Sequence, residues 1–159
     1  MNVIASPKIG KSWLVLQLAL AVANGSDFLG LPTQKGKTLL IDAELHAETI
    51  ANRISLVSHA MQCSKANVDI LSLRGKSIDL IQLSRELRAT IDPGQYALII
   101  VDALYRFLPR GVSENDNAAM MTLYNELDAV ADHTQAAIAV VHHASKGDQA
   151  AKSNTDVGS

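Results

Sequence analysis

Two short runs, Thr38-Leu-Leu-Ile-Asp42 and Ala97-Leu-Ile-Ile-Val-Asp102, are apolar in their interiors and end on an aspartate. A strand with one wet face alternates apolar and polar residues; a strand apolar throughout is covered on both faces. Strands of that kind belong to parallel sheets layered between helices, which narrows the chain to a few architectures.

The segments around these runs fit such a layer. Val3, Ile4 and Ala5 read as the end of a short buried strand, followed by a loop of breakers from Ser6 to Gly10. A Leu- and Ala-rich helix is expected from about Lys11 to Asn24, with Gly25 as its stop signal. After a loop with Gly30, Pro32 and Gly36, a helix is expected from about Ala47 to Gln62 and a strand from Val68 to Leu73. A third helix, about Ile78 to Thr90, ends before the Pro93-Gly94 turn; a fourth covers about Asn117 to His133. Ala136 to His142 reads as a fifth strand, and residues 144–159 as a small, polar loop. Strand and helix alternate, so the expectation is an α/β fold with a mainly parallel central sheet flanked by helices on both faces. Ligands of such sheets sit beyond the carboxyl ends of the strands.

At 159 residues the chain fits one domain, and 48% hydrophobic against 19% charged residues excludes disorder. The net charge of -2 does not make the whole chain a polyanion binder; a nucleic acid would need a local basic loop or a ring of subunits. Cys63 has no second cysteine to pair with, is expected to pack, and points to a reducing, cytoplasmic setting. The longest apolar stretch, Trp13 to Ala23, is broken by Gln17, short of the roughly 18 residues of a membrane span. No membrane partner and no signal peptide are expected.

Ala5-Ser-Pro-Lys-Ile-Gly-Lys-Ser12 matches the phosphate-loop pattern G-x-x-x-x-G-K-[ST] at every fixed position but the first. Backbone N–H groups of such a loop turn inward on phosphates, and the helix behind it adds its positive end. Gly10 is expected where the chain comes closest to the anion, Lys11 on the β and γ phosphates, and the Ser12 hydroxyl on Mg²⁺. The candidate nucleotide-contacting set is Ser6, Pro7, Lys8, Ile9, Gly10, Lys11, Ser12 and Trp13. For Trp13 the stronger expectation is core packing. Ala5, the smallest residue with a side chain, is expected to be tolerated in place of the first Gly.

Asp102 at the end of its strand is a candidate to hold Mg²⁺ opposite Ser12; the alternative is a capping or loop aspartate. Leu39-Leu-Ile-Asp-Ala-Glu44 places two acids past a buried strand. Hydrolysis needs a carboxylate that orients the attacking water. Glu44 is the candidate and Asp42 the fallback, against the alternative that Glu44 caps the next helix. His142 and His143 end the fifth strand, placed to sense a γ-phosphate; a packing or surface role is the alternative, and no acid or Cys at metal-ligand spacing suggests zinc. Arg106 and Arg110 are read equally as facing DNA or a neighbouring subunit and as a solvated loop. Lys146 and Lys152 form a thin basic patch, and Met120 and Met121 are expected in the core.

On SPKIGKSWLVLQLALAVANG, LLIDAE with a helix through Asn52-Arg53, LIIVDALYRFLP with Glu114-Asn-Asp-Asn117, and AVVHHASKG, the chain resembles RecA-like P-loop ATPases, in particular RepA-type hexameric replicative helicases. The resemblance implies ATP and Mg²⁺ bound by Lys11 and Ser12, Glu44 as catalytic carboxylate and Asp102 as the second-motif aspartate. It implies His142 or His143 as phosphate sensor. It further implies a homo-oligomeric ring, a hexamer, that moves on single-stranded DNA. Ala5, and Leu45 after Glu44, depart from the family pattern. The whole of 1–159 reads as a single RecA-like core, incomplete at its C-terminal end, before the later strands that carry the arginine finger. The first functional expectation is an ATPase motor. The second is a nucleotide-binding regulatory or assembly module without translocation. A small-molecule kinase is disfavoured because no arginine-rich lid follows the third helix.

Overall fold

The wholly apolar runs lie inside a parallel sheet. The computed structural model describes residues 1–6, 8–112 and 116–143, with His143 described by its backbone alone. In chain order the elements are β1 (Asn2–Ala5), α1 (Lys11–Asn24), β2 (Thr38–Asp42), α2 (Ala47–Ala60), β3 (Val68–Ser72), α3 (Leu80–Thr90), β4 (Leu98–Asp102), a 3-10 turn (Leu104–Phe107), α4 (Asn117–Thr134) and β5 (Ala137–His143). The described sheet has the order β1-β5-β4-β2-β3, and each neighbouring pair is parallel. The fold is α/β of the RecA-like P-loop kind.

The period of two along the strands explains why both faces are covered. Leu40, Leu98, Ile100, Ala139 and Val141 point to one side, where α1 and α2 bring Val15, Leu16, Leu20, Ile50 and Ile54. Leu39, Ile41, Ile99, Val101 and Val140 point to the other, where α3 and α4 bring Leu83, Leu87, Leu123, Leu127 and Val130. Every residue of β2 and β4 is buried. Each large aliphatic side chain buried in this way stabilises the fold by about 1.5–3 kcal/mol before conformational entropy is charged.

The helix ends follow local chemistry. α1 starts after Gly10 at φ 95° and stops at Gly25 at φ 70°, both in the left-handed region that favours glycine. The Asp79 side chain accepts from the Gln82 N–H at 2.8 Å, and Asp116 accepts from Ala118 and Ala119 at 3.1 Å each, so aspartates open α3 and α4. The Ser84 hydroxyl of α3 donates to Glu126 of α4 at 2.7 Å and ties these helices together.

Two expectations are corrected. β1 is an edge strand of the described sheet and is not buried: Ile4 is 61% exposed. Only β5 pairs with it, so nothing in the described residues covers its other edge. Met121 is 67% exposed while Met120 is in the core, because adjacent helical residues point about 100° apart. Cys63 is half-buried against the α1–α2 side of the core, as expected. Among the described residues no helix is long and apolar enough to cross a membrane.

The register levels the carboxyl ends. Asp42 lies opposite Asp102 on one side and Ser72 on the other, and Ala5 lies opposite His143. The chemistry-bearing residues therefore share one rim of the sheet.

Candidate functional site

The loop from β1 to α1 curls around the side chain of Lys11. Lys11 is buried, and its Nζ donates to the carbonyls of Ala5 at 2.6 Å and Ser6 at 2.8 Å. A buried ammonium requires such acceptors. The reason for glycine at position 10 is its backbone angle: a Cβ there would meet nothing within 4 Å, but φ is +95°. Ala5 ends β1 in extended strand pairing, without a positive φ, so alanine fits there unstrained. The left-handed non-glycine residue of the loop is Lys8, at φ 67°. Ile9 is 63% exposed at the rim. Pro7 lies outside the described residues.

Trp13 does not pack in the core. It is 39% exposed, and the Arg53 guanidinium of α2 lies over its ring at 5.1 Å. The helix turns this position outward, where a cation lies over the face of the indole.

Ser12 and Asp102 line one narrow crevice, together with Asp42, Leu45 and Arg53. Hydroxyl and carboxylate oxygens suit a hard cation such as Mg²⁺, which takes one or two protein oxygens and fills its other positions with water and phosphate. Among the described residues no group of three His, Cys, Asp or Glu side chains forms an all-protein metal cage. The residues present thus fit Mg²⁺ carried with a nucleotide. The Asp102–Ala103 peptide bond is cis.

Asp42 and Glu44 do different things. Asp42 is 3% exposed, and its Oδ1 accepts from the N–H of Glu44 at 2.7 Å and of Leu45 at 2.8 Å. Burial pushes the Asp42 carboxyl up, and the two N–H bonds pull it back part of the way. Its carboxylate builds the turn that presents Glu44. His46, not Glu44, occupies the N-cap position of α2, and its side chain makes no capping bond. The Glu44 carbonyl accepts from Arg74 Nη1 at 2.7 Å, and its Oε1 accepts from the Tyr105 hydroxyl. Leu45, the apolar departure, packs against the α1–α2 side of the core.

His142 is 7% exposed at the end of β5, next to β1, and its Nε2 lies 3.0 Å from the Tyr124 hydroxyl of α4. Its ring is a buried, hydrogen-bonded group rather than a surface one. The His143 backbone pairs with Ala5, but its side chain, Glu114, Asn115, Lys146 and Lys152 lie outside the described residues.

Two adjoining clefts open beside Glu44. One of about 450 Å³ is lined by Glu44, Arg74, Gly75, Tyr105 and Arg106. The other, about 620 Å³, shares Gly75 and Arg106 and adds Lys76, Asp79 and Arg110 among its walls. Among the described residues neither cleft is lined by the phosphate loop, so both lie apart from the place that the sequence motif points to. Arg74, Tyr105 and Tyr124 escaped the sequence reading. The Tyr105–Glu44 contact spans 61 positions and the Tyr124–His142 contact 18, and neither leaves a local pattern.

A protein-family profile described as an AAA domain matches residues 1–149, a span that contains the loop, both acid-bearing strand ends and both histidines. No curated protein matches the chain.

Proposed function

The chain belongs to the AAA domain family, and from that premise we propose that it is an ATPase motor that acts on single-stranded DNA. The family is one of nucleotide-binding ATPases. In this reading Lys11, Gly10 and the loop N–H groups bind the phosphates of ATP, with Ser6, Pro7, Lys8, Ile9 and Trp13 around them. Ser12 and Asp102 hold Mg²⁺, which neutralises charge on the phosphate oxygens when bound. Glu44 orients the water that attacks the γ-phosphorus as the bond to the β-phosphate oxygen breaks. His142 and His143, at the end of the strand beside the loop, sense the γ-phosphate.

The observation that carries the reading is the meeting of Ser12 and Asp102 in one crevice behind a loop that already encloses the Lys11 ammonium. Support for a polyanionic track comes from the clefts beside Glu44. Arg74, Lys76, Arg106 and Arg110 line them against two carboxylates, Glu44 and Asp79, in a chain whose net charge is -2. Backbone phosphates are attracted to such a local excess of positive charge. The hexameric ring rests on the resemblance to RepA-type helicases.

The test is ATP binding and hydrolysis by this chain and by Lys11→Ala, each with and without single-stranded DNA. Removal of the ammonium costs about 2–3 kcal/mol of charged contact, or about 30- to 150-fold in ATP affinity. Hydrolysis that rises with DNA and vanishes in the variant supports the motor. Binding through Lys11 with DNA-independent turnover would replace it with a nucleotide-switched module. Equal ATP affinity of the two proteins would remove the phosphate loop from the site.

A further inference from the structure

Glu44 is held at its backbone from two sides. Its N–H donates to Asp42 at 2.7 Å, and its carbonyl accepts from Arg74 at 2.7 Å. Neither contact sets the torsions of the side chain, and a glutamate has several to set. The direction of the carboxylate is decided by what its oxygens meet.

The Tyr105 hydroxyl meets one of them, Oε1. Tyr105 belongs to the 3-10 turn Leu104–Phe107, which follows the Asp102 strand. Leu104 and Phe107 of that turn are both 0% exposed, so the core fixes how the turn lies. Arg106 ties the turn back to the residue before Glu44, its Nη2 donating to the Ala43 carbonyl at 3.4 Å. The acid end of β2 and the turn after β4 thus form one unit, and Tyr105 is its contact with the carboxylate.

We infer that Tyr105 is the positioning residue for Glu44: its hydroxyl directs the carboxylate that orients the attacking water. The inference rests on the ATPase reading of Glu44. A carboxylate offers about four acceptor positions, and the phenol takes one of them, so the bond is compatible with Glu44 also holding a water. Loss of water around the hydroxyl, and then the Glu44 carboxylate itself, push Tyr105 up to about 12. The phenol therefore stays a donor at neutral pH. It moves no proton in the reaction; it removes the search for the productive rotamer, a gain of the kind that preorganised catalytic groups give.

Tyr105→Phe keeps the ring and deletes the hydroxyl. The experiment reads it twice. Without nucleotide, the carboxylate ¹³C resonance of Glu44, assigned by its absence in Glu44→Gln, is expected to move in Tyr105→Phe. With ATP, kcat is expected to fall about tenfold while KM stays within about twofold. In a Glu44→Gln background the same change is expected to have no effect on the residual rate, since the group it positions is gone. An unmoved resonance, an unchanged kcat, a parallel change in KM, or the same drop in the Glu44→Gln background would each overturn the inference. A resonance that moves in a chain that hydrolyses no ATP would show a real contact and a failed ATPase reading, and would end the kinetic role with it.

Discussion

Asp42→Ala separates the two acids of β2 by their work. In the structure one carboxylate oxygen accepts two backbone N–H groups, at 2.7 Å from Glu44 and 2.8 Å from Leu45. Hydrogen bonds to a charged group contribute about 1.5 kcal/mol each at the lower end, so the pair is worth about 3 kcal/mol. Against this stands the cost of burying the charge, visible in the raised Asp42 carboxyl. If that cost is about 1 kcal/mol, Asp42→Ala loses about 2 kcal/mol net. For a domain of this size that lowers Tm by about 4–8 °C. Asp42→Asn keeps an oxygen at the same place and removes the charge, so it is expected to stay within about 1 kcal/mol of the parent. Urea unfolding of the three proteins without nucleotide gives the stabilities, and ATP turnover gives the placement of Glu44. The expected order is Asp42→Asn near the parent and Asp42→Ala clearly below it in both assays. The reasoning fails if Asp42→Ala is as stable as the parent, or if Asp42→Asn falls as far as Asp42→Ala. In the latter case the charge, not the turn, carries the effect.

Two further perturbations test other parts of the structure. Asp69 is held below the usual carboxylate range by the Lys37 ammonium at 2.7 Å and the Tyr96 hydroxyl at 2.6 Å. A lowered carboxylate stabilises the fold above its unfolded value, near 3.8, and loses that contribution as pH falls through the folded value. Both partners are about two-fifths exposed, 40% and 39%, so the advantage of the parent over Asp69→Asn is expected to be no more than about 1 kcal/mol at pH 7. It should shrink below about pH 4 in acid-unfolding curves; an advantage that grows with acid would contradict the ion pair. Gly10→Ala is expected to cost about 1–2 kcal/mol in urea unfolding, because its φ of +95° is poor for an L side chain although space is available. A neutral Gly10→Ala would mean that the loop does not hold that angle.

Much of the fold was legible because its signals are local. β2 is Thr38–Asp42 and α1 is Lys11–Asn24, with the bounds that apolar continuity and the Gly25 stop predict. α3 begins two residues later than its apolar pattern suggests, since the Asp79 cap and not Ile78 sets its start. What the sequence did not reveal depends on tertiary placement. Ile4 looks like a buried strand residue until the order β1-β5-β4-β2-β3 puts its strand at an edge. Trp13 looks like core until Arg53, on a different helix, is seen over its ring. The candidate site was legible in the same measure. The loop and the strand-end acids announce themselves by spacing, whereas the tyrosines that touch Glu44 and His142 come from distant segments and carry no motif.

The rim of the sheet shows why acids at neighbouring strand ends need not share a role. Asp42 and Asp102 are in register on adjacent parallel strands, so a simple reading would pair them at one metal ion. Asp42, however, spends one oxygen on two backbone N–H groups, and that oxygen is committed to the turn. Asp42 and Asp102 both line the crevice with Ser12, so what separates them is the pair of backbone N–H groups that Asp42 accepts. Glu44, two residues beyond Asp42, follows the turn that Asp42 closes, and meets Arg74 and Tyr105 from the segments just after β3 and β4. The carboxylates differ in what each is bonded to: Asp42 builds the turn, and Glu44 is presented by it. Moving the acid back by a single position along β2 would invert its side of the sheet and bury it where Ile41 packs, among the core residues of the α3–α4 side.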